Sequence, residues 1–125
     1  MIKFSMKKRI LVIDDDEDIL SILEILFGDE DYEVILLNTG TTAEDVRKIH
    51  PDVILLDVRI HGYEKSGDQI CNEIKSLNNT KNIPVILLSA EFNVSKLALE
   101  CGADGFMRKP FNVDALIDQV NRILV

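Results

Sequence analysis

At 125 residues the chain is long enough for one hydrophobic core, and 46% hydrophobic against 29% charged residues excludes a disordered or low-complexity chain. Fourteen basic against 22 acidic residues give a net charge of −8, which opposes approach to nucleic-acid phosphates or an anionic membrane surface. No apolar run has the length of a membrane-spanning helix or a signal peptide, so a cytoplasmic protein is expected, with one domain over 1–125 and 1–7 as an extra N-terminal piece. Cys71 and Cys101 have neither a CxxC partner nor a His at ligand spacing, and read as buried reduced thiols, not zinc ligands.

In chain order, short apolar runs alternate with stretches of helical period, the pattern of βα units around a parallel sheet. The first strand is expected at Arg9–Ile13, followed by a helix carrying Ile19, Ile22, Leu23 and Leu26 on one stripe and stopping at Gly28. A second strand, Glu33–Leu37, leads to a helix that opens at Thr41-Thr42-Ala43-Glu44, with capping-box spacing, and ends before Pro51. The third strand, Val53–Leu56, precedes a helix over Asp68–Leu77 with Ile70, Cys71, Ile74 and Leu77 on one face. Val85–Leu88 is the fourth strand, and the helix after it, Val94–Cys101, is short and closes at Gly102. Gly105–Met107 is the fifth strand, and Asn112 caps a last helix striped by Val113, Leu116, Ile117, Val120, Ile123 and Leu124.

In an open parallel sheet, ligands bind at the carboxyl ends of the strands, where strand order reverses. Strand one ends in Asp14-Asp15, strand three in Asp57, strand four in Ser89 and strand five in Arg108-Lys109-Pro110. With the order 2-1-3-4-5 the carboxylates of strands one and three converge. Two carboxylates roughly 5 Å apart repel by about 3 kcal/mol at an effective dielectric near 20, so a divalent cation and the Lys109 ammonium are needed to reverse the sign. Hard oxygen donors with room for water suit Mg²⁺ better than zinc.

These residues resemble the receiver domains of two-component response regulators. Five features arrive in the family's order: an apolar run into Asp14-Asp15, Pro51-Asp52 with an apolar run into Asp57, an apolar run into Ser89-Ala90, Gly102-Ala103-Asp104-Gly105-Phe106, and Lys109-Pro110-Phe111. The resemblance implies a (βα)₅ doubly wound, flavodoxin-like α/β sandwich. It makes Asp57 the phosphoacceptor and Asp15 a direct Mg²⁺ ligand, with Asp14 acting through water and Asp57 and the backbone carbonyl of Arg59 completing the protein's ligands. Ser89 and Lys109 would hold phosphoryl oxygens, Phe106 would repack as Ser89 moves, and the bond before Pro110 would be cis. The implied partners are a histidine kinase or histidine phosphotransfer protein and an unidentified downstream effector. A monomer or a homodimer through the fourth helix, fifth strand and fifth helix is implied, acting as a switch and not as a turnover enzyme.

Competing readings fail on particular positions. Asp16, Glu17 and Asp18 suit a solvated helix start, but Asp14 and Asp15 directly follow an apolar strand. An EF-hand loop would need Gly where Ile19 stands and Glu where Ile25 stands. A haloacid-dehalogenase-like phosphatase needs Thr or Val in the place of Asp18 and a substrate cap for which the chain has little room. His50 reads as exposed and inert. His61 stands where the family usually has Pro, and the stretch from His61 to Gly67 is slightly longer than usual, so a more mobile loop is expected there. Arg59 and Glu91 occupy positions that tune acyl-phosphate lifetime in the family, and their opposite charges suggest a pair across the pocket mouth. The short fourth helix makes inference of an output partner by analogy unsafe.

Overall fold

The computed structural model describes residues 7–125, so of the extra N-terminal piece expected at 1–7 only Lys7 falls among the described residues. Ten elements alternate: β1 (Arg9–Ile13), α1 (Glu17–Asp29), β2 (Glu33–Leu37), α2 (Ala43–Ile49), β3 (Val53–Asp57), α3 (Gly67–Ser76), β4 (Val85–Ser89), α4 (Val94–Cys101), β5 (Gly105–Arg108) and α5 (Val113–Ile123). The strands form one parallel sheet in the order β2-β1-β3-β4-β5, the doubly wound topology expected. Among the described residues no helix is long and apolar enough to cross a membrane.

The apolar runs in the strands have a simple cause: helices cover both faces of the sheet, so every position in a central strand is buried. All five residues of β3 and of β4 are buried. Alternate strand residues then feed two cores. Leu11, Ile13, Ile54, Leu56, Val85 and Leu87 pack with α2, α3 and α4, while Ile10, Val12, Val53, Leu55, Ile86 and Leu88 pack with α1 and α5. At about 25 cal/mol per Å² of apolar surface, burying each such side chain contributes about 1.5–3 kcal/mol, which is the main term opposing chain entropy.

Helix ends follow local chemistry. Asp16 caps α1 by accepting from the N–H groups of Asp18 and Ile19. Thr42, not Thr41, caps α2, accepting from Asp45. Ser66 and Gln69 form a reciprocal capping box at α3, and Asn112 accepts from Ala115 at α5. Gly102 closes α4 at φ 78°.

Several sequence-based boundaries shift. Helix α1 runs through Gly28 to Asp29, because Gly28 faces open space and a helical glycine there costs only propensity. Its buried stripe is Leu20, Leu23 and Phe27, and Ile22 is half exposed. Helix α3 starts one residue earlier than expected and stops before Leu77, which is left 48% exposed. Strands β3, β4 and β5 each extend one residue further, to Asp57, Ser89 and Arg108. Polar side chains at these ends hide the strand from a hydrophobicity pattern, yet the backbone ladder continues through them.

Candidate functional site

Strand register brings the acidic residues together. Ile13 pairs with Leu56, so the next residues along β1 and β3, Asp14 and Asp57, stand side by side. The ladder persists past the strands, with Asp14 donating to Leu37 O at 3.1 Å and Lys109 donating to Ser89 O at 2.8 Å. Asp14 has no solvent exposure, and Asp57 and Ser89 are also buried. One carboxylate oxygen from each of Asp14, Asp15 and Asp57 lies within 4.8 Å of the others. The cleft they form, about 310 Å³ and also lined by Ser89, Glu91 and Lys109, has room for a cation with its waters and a small oxyanion.

Lys109 is the counter-charge. Its Nζ is 2.8 Å from Asp14 Oδ2 and 3.4 Å from Asp57 Oδ1. Burial favours the neutral amine, but hydrogen bonding to Asp14 and the charges of Asp57 and Asp14 outweigh it and raise the Lys109 pKa. One ammonium does not serve two carboxylates fully. Burial, reinforced by the charge of Asp14 and only partly offset by Lys109, pushes Asp57 up to about 7. The Lys109–Pro110 peptide bond is cis, as the resemblance implied.

The donor set fits a hard divalent cation. Three carboxylates with one ammonium leave excess negative charge in a buried place, and all the clustered donors are oxygens. The pocket therefore meets the chemical requirement for a metal site.

Asp15 is held differently from its two neighbours. Its Oδ2 accepts the backbone N–H of His61 at 3.0 Å and lies 2.6 Å from His61 Nδ1. Burial acts to raise the Asp15 pKa, but the backbone and side-chain hydrogen bonds from His61 lower it on balance. Proline has no N–H and cannot make the first of these bonds. A non-proline residue at position 61 was thus the signal that sequence reasoning left unused.

The stretch from His61 to Gly67, expected to be mobile, has anchors along its length. His61 is tied to Asp15, and the ring of Tyr63 lies against Gly40, where an added Cβ would sit 2.1 Å from it. Lys65 pairs with Glu73 at 2.6 Å, and Glu73 in turn accepts the N–H of Ala43 at the start of α2. Gly67 then passes over Asp57: its N–H donates to Val58 O at 2.7 Å, and a Cβ there would meet the Asp57 carbonyl oxygen at 2.0 Å. Sequence reasoning did not identify Tyr63, Lys65 or Gly67 as site residues, since their partners are set by the tertiary fold.

The remaining predicted residues sit on the other flank. Ser89 Oγ accepts the N–H of Glu91 at 3.0 Å, which leaves its own proton free to donate into the cleft. The expected Arg59–Glu91 ion pair is formed at the mouth, and the Arg59 side chain is 77% exposed. Phe106 on β5 is exposed, as are Phe92 and Leu99 on the β4–α4 side. His50 is exposed and caps α2 in the left-handed conformation.

Comparison with known proteins agrees with this fold. The response regulator receiver domain model matches residues 10–121. The DNA-binding response regulator MtrA of Mycobacterium tuberculosis is 32% identical over 119 residues, 93% of this chain and 50% of that protein, so the chain spans about half the length of this relative. Among solved structures, the signal receiver domain of a DNA-binding response regulator from Colwellia psychrerythraea 34H superposes with a TM-score of 0.83 at 27% identity, covering 94% of this chain and 98% of that one. The BeF3-activated receiver domain of DrrB gives 0.77 at 32% identity, covering 95% and 98%. The family model and relatives of one kind thus match nearly the full length of this 2-1-3-4-5 sheet, and the chain belongs to the response regulator receiver domains of two-component systems.

Proposed function

We propose that Asp57 accepts a phosphoryl group from a phosphohistidine on a histidine kinase or histidine phosphotransfer protein, and that the modified domain signals to a downstream effector. The observation that carries this reading is the position of Asp57: buried at a strand end, 3.4 Å from Lys109, with Asp14 and Asp15 oxygens within 4.8 Å. A carboxylate attacking phosphorus needs negative charge neutralised on both nucleophile and incoming group.

Asp14, Asp15, Asp57 and the backbone carbonyl of Arg59 would hold Mg²⁺, which when bound supplies that neutralisation on one side. Lys109 supplies it on the other, shifting from Asp57 toward a phosphoryl oxygen. Ser89 donates its free hydroxyl proton to another oxygen. As a carboxylate oxygen of Asp57 bonds to phosphorus, the P–N bond of the phosphohistidine breaks and its electron pair stays on the leaving imidazole nitrogen. An apolar groove between α1 and the β5–α5 turn, lined by Ile19, Ile22, Leu23, Pro110, Phe111 and Val113, opens beside Lys109.

The domain acts as a switch rather than a turnover enzyme, assisting only its own phosphorylation and the slow hydrolysis of the product. Ser89, drawn toward the phosphoryl group, frees space on the side where Phe106 lies. The exposed Phe92, Leu99 and Phe106 then supply apolar surface for an effector or for a second copy joined through α4, β5 and α5. The −8 charge disfavours direct nucleic-acid contact by these 125 residues, whatever a longer protein carries beside them. These roles place the domain in the cytoplasm.

Incubation with a small-molecule acyl phosphate and Mg²⁺, followed by intact-mass measurement, tests the assignment. Wild type is expected to gain one phosphoryl group and Asp57→Asn none. No gain on wild type would sink the reading, and gain on Asp57→Asn would move the acceptor elsewhere.

A further inference from the structure

Helices α3 and α4 are neighbours on one face of the sheet, and each brings a cysteine to their contact. Cys71, without solvent exposure, places its Sγ 3.6 Å from the backbone oxygen of Cys101. Cys101, in the last turn of α4, keeps 6% exposure, and its Sγ lies 3.7 Å from Ala98 O. Both belong to the core shared by α2, α3 and α4, and neither contributes to the acidic pocket. A disulfide requires cysteines that are already adjacent, with Cα atoms within about 7 Å. Residues on packed helices, with the sulfur of one in contact with the backbone of the other, are candidates for that bond without refolding.

We propose that Cys71 and Cys101 form a peroxide-reactive dithiol that closes to a disulfide and holds α4 against α3. Cys101 is the attacking sulfur. It sits at the edge of the core, and the neighbouring Cys71 thiol outweighs burial and holds it below the ordinary thiol value. The same neighbour and burial raise Cys71, which stays protonated until it resolves the intermediate.

The Cys101 thiolate attacks one peroxide oxygen, the O–O bond breaks, and the departing hydroxide takes a proton to become water, leaving Cys101 as a sulfenic acid. The Cys71 sulfur then attacks the Cys101 sulfur and gives up its proton as the S–O bond breaks, releasing a second water. Two thiols lose two electrons in all, and one hydrogen peroxide becomes two waters. A dithiol reductant reverses the bond, consistent with transient disulfides in a reducing compartment. Because α4 leads directly into β5, the bridge would restrain the side of the domain on which Leu99 and Phe106 are exposed.

Treatment of the intact wild-type chain with hydrogen peroxide, alkylation of remaining thiols and non-reducing peptide mapping test this. The expected result is a monomer lighter by two hydrogens, with the Cys71 and Cys101 peptides linked, slower amide exchange in α4, and reversal by dithiothreitol. Cys71→Ala is expected to leave Cys101 without a resolving partner, so that it overoxidises to sulfinic acid. If that variant does not fold, wild type unfolded in urea serves as the reference for thiol reactivity. Intermolecular disulfides, sulfinic acid on Cys101 of wild type, or unchanged thiols at a dose that oxidises the reference would each overturn the proposal.

Discussion

The two flanks of the acidic pocket are built on opposite plans. On the β3–α3 flank, His61, Tyr63, Lys65 and Gly67 tie the loop to Asp15, Gly40, Glu73 and the backbone beside Asp57. On the β4–α4 and β5 flank, Phe92, Leu99 and Phe106 project apolar surface outward, and few polar contacts cross: Arg108 donates to Phe92 O at 2.7 Å, and Ser89 accepts from Glu91. The contrast has a physical sense. On the proposed function, metal and nucleophile oxygens need fixed geometry, which anchoring provides, whereas a surface that reports a change of state must repack at low cost.

The tied flank breaks most severely at Gly67. A Cβ in Gly67→Val would meet backbone oxygen rather than a yielding side chain, and a loss of roughly 3 kcal/mol is expected in urea unfolding. A loss within experimental error would show that the chain does not pass over Asp57 so closely.

Removing the Asp57 charge should act in the opposite direction. Its folded pKa of about 7 exceeds the ordinary 3.8, so the folded state binds this proton more tightly than the unfolded state. The favourable contribution of the protonated carboxyl is present near pH 4 and is lost as pH rises toward 7. In metal-free protein at pH 7, Asp57→Asn should therefore stabilise by on the order of 2–4 kcal/mol, with the gap to wild type closing toward pH 4. Parallel stability curves for the two proteins across that range would contradict this, and added Mg²⁺ should narrow the gap at pH 7.

At the mouth, the Arg59–Glu91 pair bridges the two flanks. If it obstructs the path of attacking water, Arg59→Ala should speed loss of phosphate from Asp57 about fivefold, equivalent to ~1 kcal/mol in the barrier. An unchanged dephosphorylation rate would remove the pair from the lifetime chemistry. The smallest effect belongs to the open flank. Leu99→Ser, at a position 83% exposed, should change stability by no more than about 0.5 kcal/mol in thermal unfolding. A larger loss would mean that Leu99 is covered in solution.

Much of this contrast was illegible in the sequence, for reasons that differ by residue. Asp14, Asp15, Asp57, Ser89 and Lys109 were readable because each follows an apolar strand, and a parallel sheet gathers strand ends on one edge. The Arg59–Glu91 pair was readable from opposite charges at two positions that the family resemblance puts at the pocket mouth. Gly67 was not, because a glycine before a helix has many ordinary explanations, and only the approach of Asp57 O selects among them. His61 looked like a missing proline until its N–H was seen to reach Asp15. Ile22 fitted the helical stripe of α1 yet half faces solvent, since the period alone does not say where the stripe is centred.

The sequence by itself determined the alternation of strand and helix, the two-sided burial of the sheet and which residue types stand at its carboxyl edge. These depend on local periodicity and on residue types that have few other uses where they stand. Only the tertiary structure decided how Lys109 divides its charge between Asp14 and Asp57, that His61 engages Asp15, and that Cys71 meets Cys101 across two helices. Each is a contact between residues distant in the chain, where a difference of an ångström settles the energy and no short-range pattern records it.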